Sequence, residues 1–361
     1  MSFTIKPAVR EKIGLLFGIA GASGSGKTFS ALTLAEGIKG KNGKIAVIDT
    51  EAGRALHYAP RPGQKADPSK GTFDFLHVDF QPPFEPMRYI EAIRAAEKAG
   101  ATVIVIDSMS HEWDGEGGCS DMAERAALAA ATDRQGNIQQ WKVEAMTAPS
   151  WKKPKQQHKR MMARLIQTRT HLIFCLRAQE KIKFEKVENP ETGRTRNEIR
   201  QMGFQPICEK SFMFELSGSM TMHPETPGQP CYDLPHKLNH ELQQIFPEGK
   251  RIIAEQGARL KNWAETGTDR PPEDRSMVEA REMVEAIQDA ATVEALQKLT
   301  SDQGFMGLRE KLRASRPQLS ERVDRAVRDK MASFEANENE LGGTEASTHS
   351  GTDDLEVPSW V

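Results

Sequence analysis

The chain has 361 residues with 49 Lys and Arg against 51 Asp and Glu, a formal charge of −2; the length allows two domains or one large domain with an appendage, and the near-neutral balance excludes nucleic-acid binding through a global field, so any such contact needs a local patch. Four cysteines, Cys119, Cys175, Cys208 and Cys231, stand without C-x-x-C or Cys/His metal spacing, which argues against a disulfide frame or a zinc site and fits a reducing cytoplasm. Residues 1–10 lack an apolar signal core and no apolar stretch approaches the ~18 residues of a membrane span, so a soluble cytoplasmic protein with no membrane partner is expected.

In chain order, residues 13–20 form an apolar run of strand length and residues 29–38 carry the apolar spacing of a helix. Between them lies Gly21-Ala22-Ser23-Gly24-Ser25-Gly26-Lys27-Thr28, which fits G-x-x-x-x-G-K-[ST] at every defined position. A strand, a glycine-rich loop and a helix start are what a phosphate cradle needs. The glycines let successive N–H groups converge on phosphate oxygens, and the helix start adds partial positive charge. Residues 21–28, with Phe29 behind them, are therefore expected to hold ATP, Lys27 pairing with the β/γ oxygens and the Thr28 hydroxyl ligating Mg²⁺.

Further strand-like runs fall at residues 44–48, 73–78, 102–106 and 171–176, with helical patterns between several of them; the alternation predicts an α/β fold with a mainly parallel sheet. Residues 53–71 are rich in Gly, Pro and charge and are expected to form a surface loop able to lie over the nucleotide. Asp107 ends the run Thr102-Val103-Ile104-Val105-Ile106, which is the expected form of a carboxylate holding Mg²⁺ through water. Glu51, just past the strand that ends at Asp49, stands at the sheet edge where ligands of such sheets bind, placed to orient an attacking water; alternation makes Asp49 a buried partner. His111-Glu112 offers two metal-ligand types but no further spaced partners, so orienting groups near Ser108 or capping the next helix suits it better.

Past Arg177, residues 180–200 hold Asn189-Pro190-Glu191-Thr192-Gly193 between two extended runs, which predicts a protruding hairpin or mobile loop. Residues 210–216 read as a strand, and residues 251–263 as a strand and short helix closing a first domain at residue 265. Residues 266–275, with Pro271-Pro272, form a linker by composition; three amphipathic stripes, at 277–287, 293–299 and 319–331, fill a helical region over 276–334. From 335 to 361 the composition is acidic, without Lys or Arg, and is that of a disordered tail ending Val357-Pro358-Ser359-Trp360-Val361.

Asp107-Ser108-Met109-Ser110-His111-Glu112-Trp113, Gly117-Gly118-Cys119, Trp141, His158 and the strand ending at Arg177 give the sequence a resemblance to the bacteriophage RecA-like ATPases of the single-strand-annealing recombinase class, over roughly residues 10–265. A carboxylate at Glu51, after the strand that follows the phosphate-loop helix, is similar to their catalytic Glu. The resemblance implies a RecA-like P-loop core, a cytoplasmic setting in a phage-infected host, Arg177 as the γ-phosphate sensor, and a DNA-contacting loop at 180–200. Its cations Lys181, Lys183, Lys186, Arg194, Arg196 and Arg200 are nearly balanced by acids, which weakens the electrostatic case. A cleaner basic cluster is Trp151-Lys152-Lys153-Pro154-Lys155-Gln156-Gln157-His158-Lys159-Arg160, an aromatic beside Lys152, Lys153, Lys155, Lys159 and Arg160, the pairing used to stack bases and track a backbone. Relatives carry a Lys/Arg pair on a late strand that reaches the neighbouring subunit's nucleotide; here Lys237 is the plausible remnant, with Lys250 or Arg251 as substitutes.

The expectation that emerges is an ATPase, slow and DNA-stimulated, that assembles as a homo-oligomeric ring or filament on single-stranded DNA and promotes annealing or strand exchange. The alternative is a nucleotide-gated adaptor with little DNA affinity, its acidic tail recruiting a single-strand-binding or other replication protein. A motor is disfavoured for want of a separate set of motor motifs.

Overall fold

The computed structural model describes residues 7–188, 195–268 and 274–342 and divides into two compact units, Met1–Arg270 and Pro271–Val361. The first begins β1 (Leu16–Gly21), α1 (Lys27–Lys39), β2 (Ile45–Asp49), two 3₁₀ turns (Arg54–Tyr58 and Pro68–Lys70), β3 (Phe75–Asp79), α2 (Pro86–Lys98) and β4 (Val103–Asp107). It continues α3 (His111–Asp114), α4 (Cys119–Ala131), α5 (Gln140–Ser150), α6 (Lys152–Leu165), β5 (His171–Glu188), β6 (Thr195–Pro206), α7 (Phe212–Glu215), β7 (Gly218–Met222), α8 (His240–Ile245) and α9 (Ala254–Glu265).

Six strands lie side by side in the order β3-β2-β4-β5-β1-β7, every neighbouring pair parallel. Both faces of such a sheet are covered, which is why β1, β2 and β4 are apolar almost without interruption rather than alternating. The period of two survives in the packing. Phe17, Ile19, Val47, Val103, Val105 and Ile173 meet Leu32, Leu34, Ile38 and Leu260 on the α1/α9 side. Ala20, Ile48, Ile104, Ile106, Leu172 and Phe174 meet Tyr89, Ile93, Met161 and Leu165 on the α2/α6 side. The mainly parallel α/β sheet read from the sequence is thus the observed one.

β5 outruns the sheet. From Ala178 it pairs antiparallel with β6, in register from Ala178↔Pro206 to Glu188↔Thr195, with a bulge between Lys181 and Ile182. The expected turn at residues 189–193 lies outside the described residues; the described parts of the expected protrusion, 180–188 and 195–200, therefore belong to a two-stranded ribbon continuous with a central strand. Ile182, Phe184 and Ile199 stand exposed on it.

Two sequence readings are corrected. Residues 210–216 contain no strand: Phe212–Glu215 is a single helical turn, and its buried side chains, Phe212 and Leu216, are spaced by four while Phe214 between them is exposed. The strand comes later, as β7, whose Ser219 and Thr221 concealed it; the Thr221 hydroxyl donates to the Pro235 carbonyl. Residues 251–253 are not a strand, and the closing element is α9 alone. The 231–238 region, matched to a late strand in relatives, forms only the isolated bridges Met222↔Pro230 and Ser219↔Lys237 around it.

The second unit comprises α10 (Arg275–Asp289), α11 (Val293–Thr300), α12 (Gln303–Ser315) and α13 (Pro317–Gly342), packed around Met283, Ile287, Leu296, Phe305, Leu312 and Val323. α12 adds a fourth helix to the three stripes read from sequence. Asp274, Thr292 and Asp302 cap the starts of α10, α11 and α12 through their side chains. α13 runs to Gly342, into the acidic stretch; the rest of the tail lies outside the described residues.

Candidate active site

The parallel register brings the C-terminal ends of β1, β2, β4 and β5 to one edge, Asp49 level with Asp107, Asp107 with Cys175, and Gly21 with Arg177. An open cleft of about 990 Å³ lies there, lined by Gly21, Ser23, Gly24, Lys27, Thr28, Glu51, Asp107, His111, Arg177 and Gln179 among others. Ala22, Ser25 and Gly26 complete the loop body. Gly26 must be glycine: it caps α1 at φ 84°, and a Cβ there would come within 2.9 Å of the Gly228 nitrogen. Phe29 does not line the cleft; its ring packs against Tyr58 and Phe73, at centroid distances of 6.3 and 5.8 Å. The 53–71 loop reaches the cleft through Arg54, Ala55, His57 and Tyr58.

Thr28 Oγ1 donates to Asp107 Oδ2 at 2.6 Å. The second carboxylate oxygen, Oδ1, is buried without a partner. Burial pushes the Asp107 carboxyl up to about 6, with Glu51 adding to the rise and the Thr28 hydrogen bond opposing it. A buried, half-satisfied carboxylate touching the loop threonine is poorly stable alone and well matched to a hydrated divalent cation, so this pair fits Mg²⁺.

Asp49 is occupied elsewhere. Its carboxylate accepts from the Glu51 and Ala55 backbone nitrogens at 2.8 and 3.0 Å and pairs with His77 Nε2 at 3.2 Å. Those bonds turn the chain so that Glu51 faces the cleft, its Oε2 3.5 Å from Arg54 Nη1. Arg177 is held by its backbone, N–H to Ser110 Oγ at 2.9 Å and carbonyl to Ile207 N–H at 2.8 Å, and its Nη1 lies 3.2 Å from His111 Nε2.

The cations proposed for DNA do not line this cleft. Lys152, Lys153, Lys155 and Lys159 are exposed on α6 and Arg160 is half-buried, while Pro154, His158, Met161 and Leu165 face inward. Trp151 stacks on Trp113 at 5.2 Å, with Lys155 Nζ 6.0 Å from its ring centre. Lys181 and Lys183 line a separate groove of about 380 Å³ together with Lys210, Lys237, Met202 and Phe214. Lys237 Nζ donates to the carbonyls of Phe214 and Leu216, which anchors it to its own chain. Lys250 and Arg251 are exposed. Arg194 lies outside the described residues; Arg196 is placed by its backbone in β6.

The fold also assembles a cluster that spacing did not reveal. Glu112 Oε1 accepts from His158 Nδ1 at 2.9 Å and from the Cys119 thiol at 3.3 Å, all three residues buried. Burial, with Glu112 alongside, pushes the Cys119 thiol far above its ordinary range, so it serves as a neutral donor. Removing the imidazole in His158→Ala leaves a buried carboxylate with only that thiol, a loss expected to cost about 3–5 kcal/mol. Denaturant unfolding measures it, and a change under 1 kcal/mol, on the order of a surface pair, would disprove the cluster's structural weight.

A family model described as an AAA domain matches residues 14–219, more than half the chain, and the protein belongs to that family of P-loop ATPase domains. A search of curated proteins found no match. Among the described residues no helix is long and apolar enough to cross a membrane.

Proposed function

We propose that this AAA-type ATPase domain binds and hydrolyses ATP and uses the cycle to control its grip on single-stranded DNA, as a phage-type recombinase that anneals or exchanges strands while assembled as a ring or filament. The observation that carries the reading is the continuity of β5. The strand that presents Arg177 to the nucleotide cleft where the parallel sheet ends runs on into the ribbon with Lys181, Lys183 and the exposed Phe184. A shift at the cleft therefore has a covalent route to a surface carrying cations and an aromatic, the combination suited to a nucleic-acid strand.

Within the site, backbone amides of the phosphate loop and the Lys27 ammonium grip the triphosphate, and Glu51 orients the water that attacks it. Thr28 and Asp107 would hold Mg²⁺, which when bound neutralises charge on the phosphates. Arg177 meets negative charge on the terminal phosphate and reports its presence along β5. Hydrolysis removes that charge, and the ribbon loosens.

ATP turnover is expected to rise with single-stranded DNA, and the affinity for DNA to fall steeply with salt. Replacing Lys152, Lys153, Lys155 and Lys159 by Gln should flatten the log–log salt slope by about 0.7 for each DNA phosphate no longer neutralised. Turnover indifferent to DNA would reject the recombinase and favour the adaptor.

A further inference from the structure

We propose that His111 is a positioning residue that holds Arg177 at the cleft in its neutral form and releases it when protonated, which makes the nucleotide response sensitive to mild acid. The proposal rests on the ATPase reading above and deepens it by naming a control of the same site.

The hydrogen bonds fix the tautomer. A guanidinium can only donate, so the 3.2 Å contact from Arg177 Nη1 makes His111 Nε2 the acceptor. The proton must then sit on Nδ1, which donates to Thr50 Oγ1 at 2.7 Å. Thr50 accepts a second bond, from the Ser108 N–H at 2.7 Å, and its own hydroxyl proton goes to the Ser108 carbonyl at 3.1 Å. One neutral imidazole thereby ties together three neighbouring strands, β2 through Thr50 just past its end, β4 through Ser108 just past its end and β5 at Arg177. Phe84 stacks on the ring at 4.9 Å and 22°, leaving both nitrogens for in-plane bonds.

Protonation would break one link selectively. The Nδ1–H bond to Thr50 survives, but Nε2 would carry a proton facing a permanent cation, and Arg177 would swing free. The charged groups facing the ring are Arg177 from β5, Glu51 from the segment after β2 and Asp114 from α3; Thr50 and Phe84 are neutral. Burial and then Arg177 hold the imidazole below its ordinary value, against the opposing pull of Glu51 and Asp114. The switch therefore operates on the acid side of the usual histidine range, and at neutral pH Arg177 stays held.

The test is steady-state ATP turnover across pH for wild type, His111→Gln and His111→Ala, each in an Arg177 and an Arg177→Met background, with nucleotide affinity measured separately by calorimetry. Gln offers an acceptor where Nε2 stood and cannot titrate. His111→Ala should lose about 10- to 100-fold in turnover at neutral pH, the worth of a hydrogen bond to a charged group; His111→Gln should recover most of it and lose wild type's added acid fall. In the Arg177→Met background His111→Ala should add nothing. Imidazole ¹⁵N shifts should report the Nδ1–H form. Unchanged turnover in His111→Ala, an acid limb that persists in His111→Gln, or additive losses with Arg177→Met would each overturn the proposal while leaving the ATPase reading intact. Wild type that takes up no ATP would overturn that reading itself.

Discussion

Glu51→Gln is expected to bind ATP as tightly as the unmodified protein and to turn it over about 10²–10⁴-fold more slowly, the usual contribution of a positioned general base. The substitution keeps the shape and removes only the charge. The surrounding turn is held by the Asp49 carboxylate, which accepts from the Glu51 and Ala55 backbone nitrogens, so the backbone does not depend on the side chain being changed. Lys27→Ala should behave differently, losing nucleotide binding itself, because in the proposed mechanism the ammonium would meet the triphosphate before any chemistry occurs. Calorimetric titration with ATP and single-turnover hydrolysis separate the two. Wild-type turnover in Glu51→Gln would remove Glu51 from the catalytic role and leave another group to orient the water.

Asp107→Asn should do two opposite things. Hydrolysis supported by Mg²⁺ should fall to background, since an amide replaces the carboxylate that would hold the ion. The nucleotide-free protein, however, should become more stable. A carboxyl raised from its ordinary 3.8 to about 6 favours the protonated form in the fold, so the native state at neutral pH carries a penalty of at most about 3 kcal/mol. The sign follows from linkage: the penalty is complete above about pH 6 and shrinks as pH falls from there toward the ordinary carboxylate value. Asn still accepts from Thr28, so the substitution relieves the penalty without breaking the bond. Thermal unfolding without nucleotide should show a higher midpoint for Asp107→Asn at pH 7.5 and a smaller gap at pH 5. A lower midpoint at both would contradict the raised carboxyl.

The parts of this molecule that could be read along the chain are those whose chemistry is local. Glycine spacing followed by Lys27 and Thr28 demands one backbone shape, and apolar runs ending in Asp49 and Asp107 demand buried parallel strands. What stayed hidden depends on which strands become neighbours. His111 and Arg177 lie 66 residues apart and meet only because β4 pairs with β5, while Glu112, Cys119 and His158 converge from three helices with no ligand spacing to announce them. Local ambiguity explains the rest. Lys210-Ser211-Phe212-Met213-Phe214-Glu215-Leu216 alternates well enough to imitate a strand although it is a single helical turn. β7 hides behind Ser219 and Thr221, polar residues in a strand that is buried throughout, where the Thr221 hydroxyl finds its acceptor only at the Pro235 carbonyl in a later loop. In α12 the side chains of Phe305, Leu308 and Leu312 have helical spacing, but Gly304 and Gly307 blur the pattern.

One consequence of β5 is mechanical. From Arg177 to Glu188 it spans roughly 36 Å at ~3.3 Å per residue, pinned near one end by Ser110 and Ile207 and splinted by β6 along the way. A rod held at its root is a lever. A tilt of about 5° at Arg177 would carry Glu188 some 3 Å by this geometry, turning a sub-ångström adjustment beside the cleft into a displacement large enough to change which atoms that end of the strand can touch.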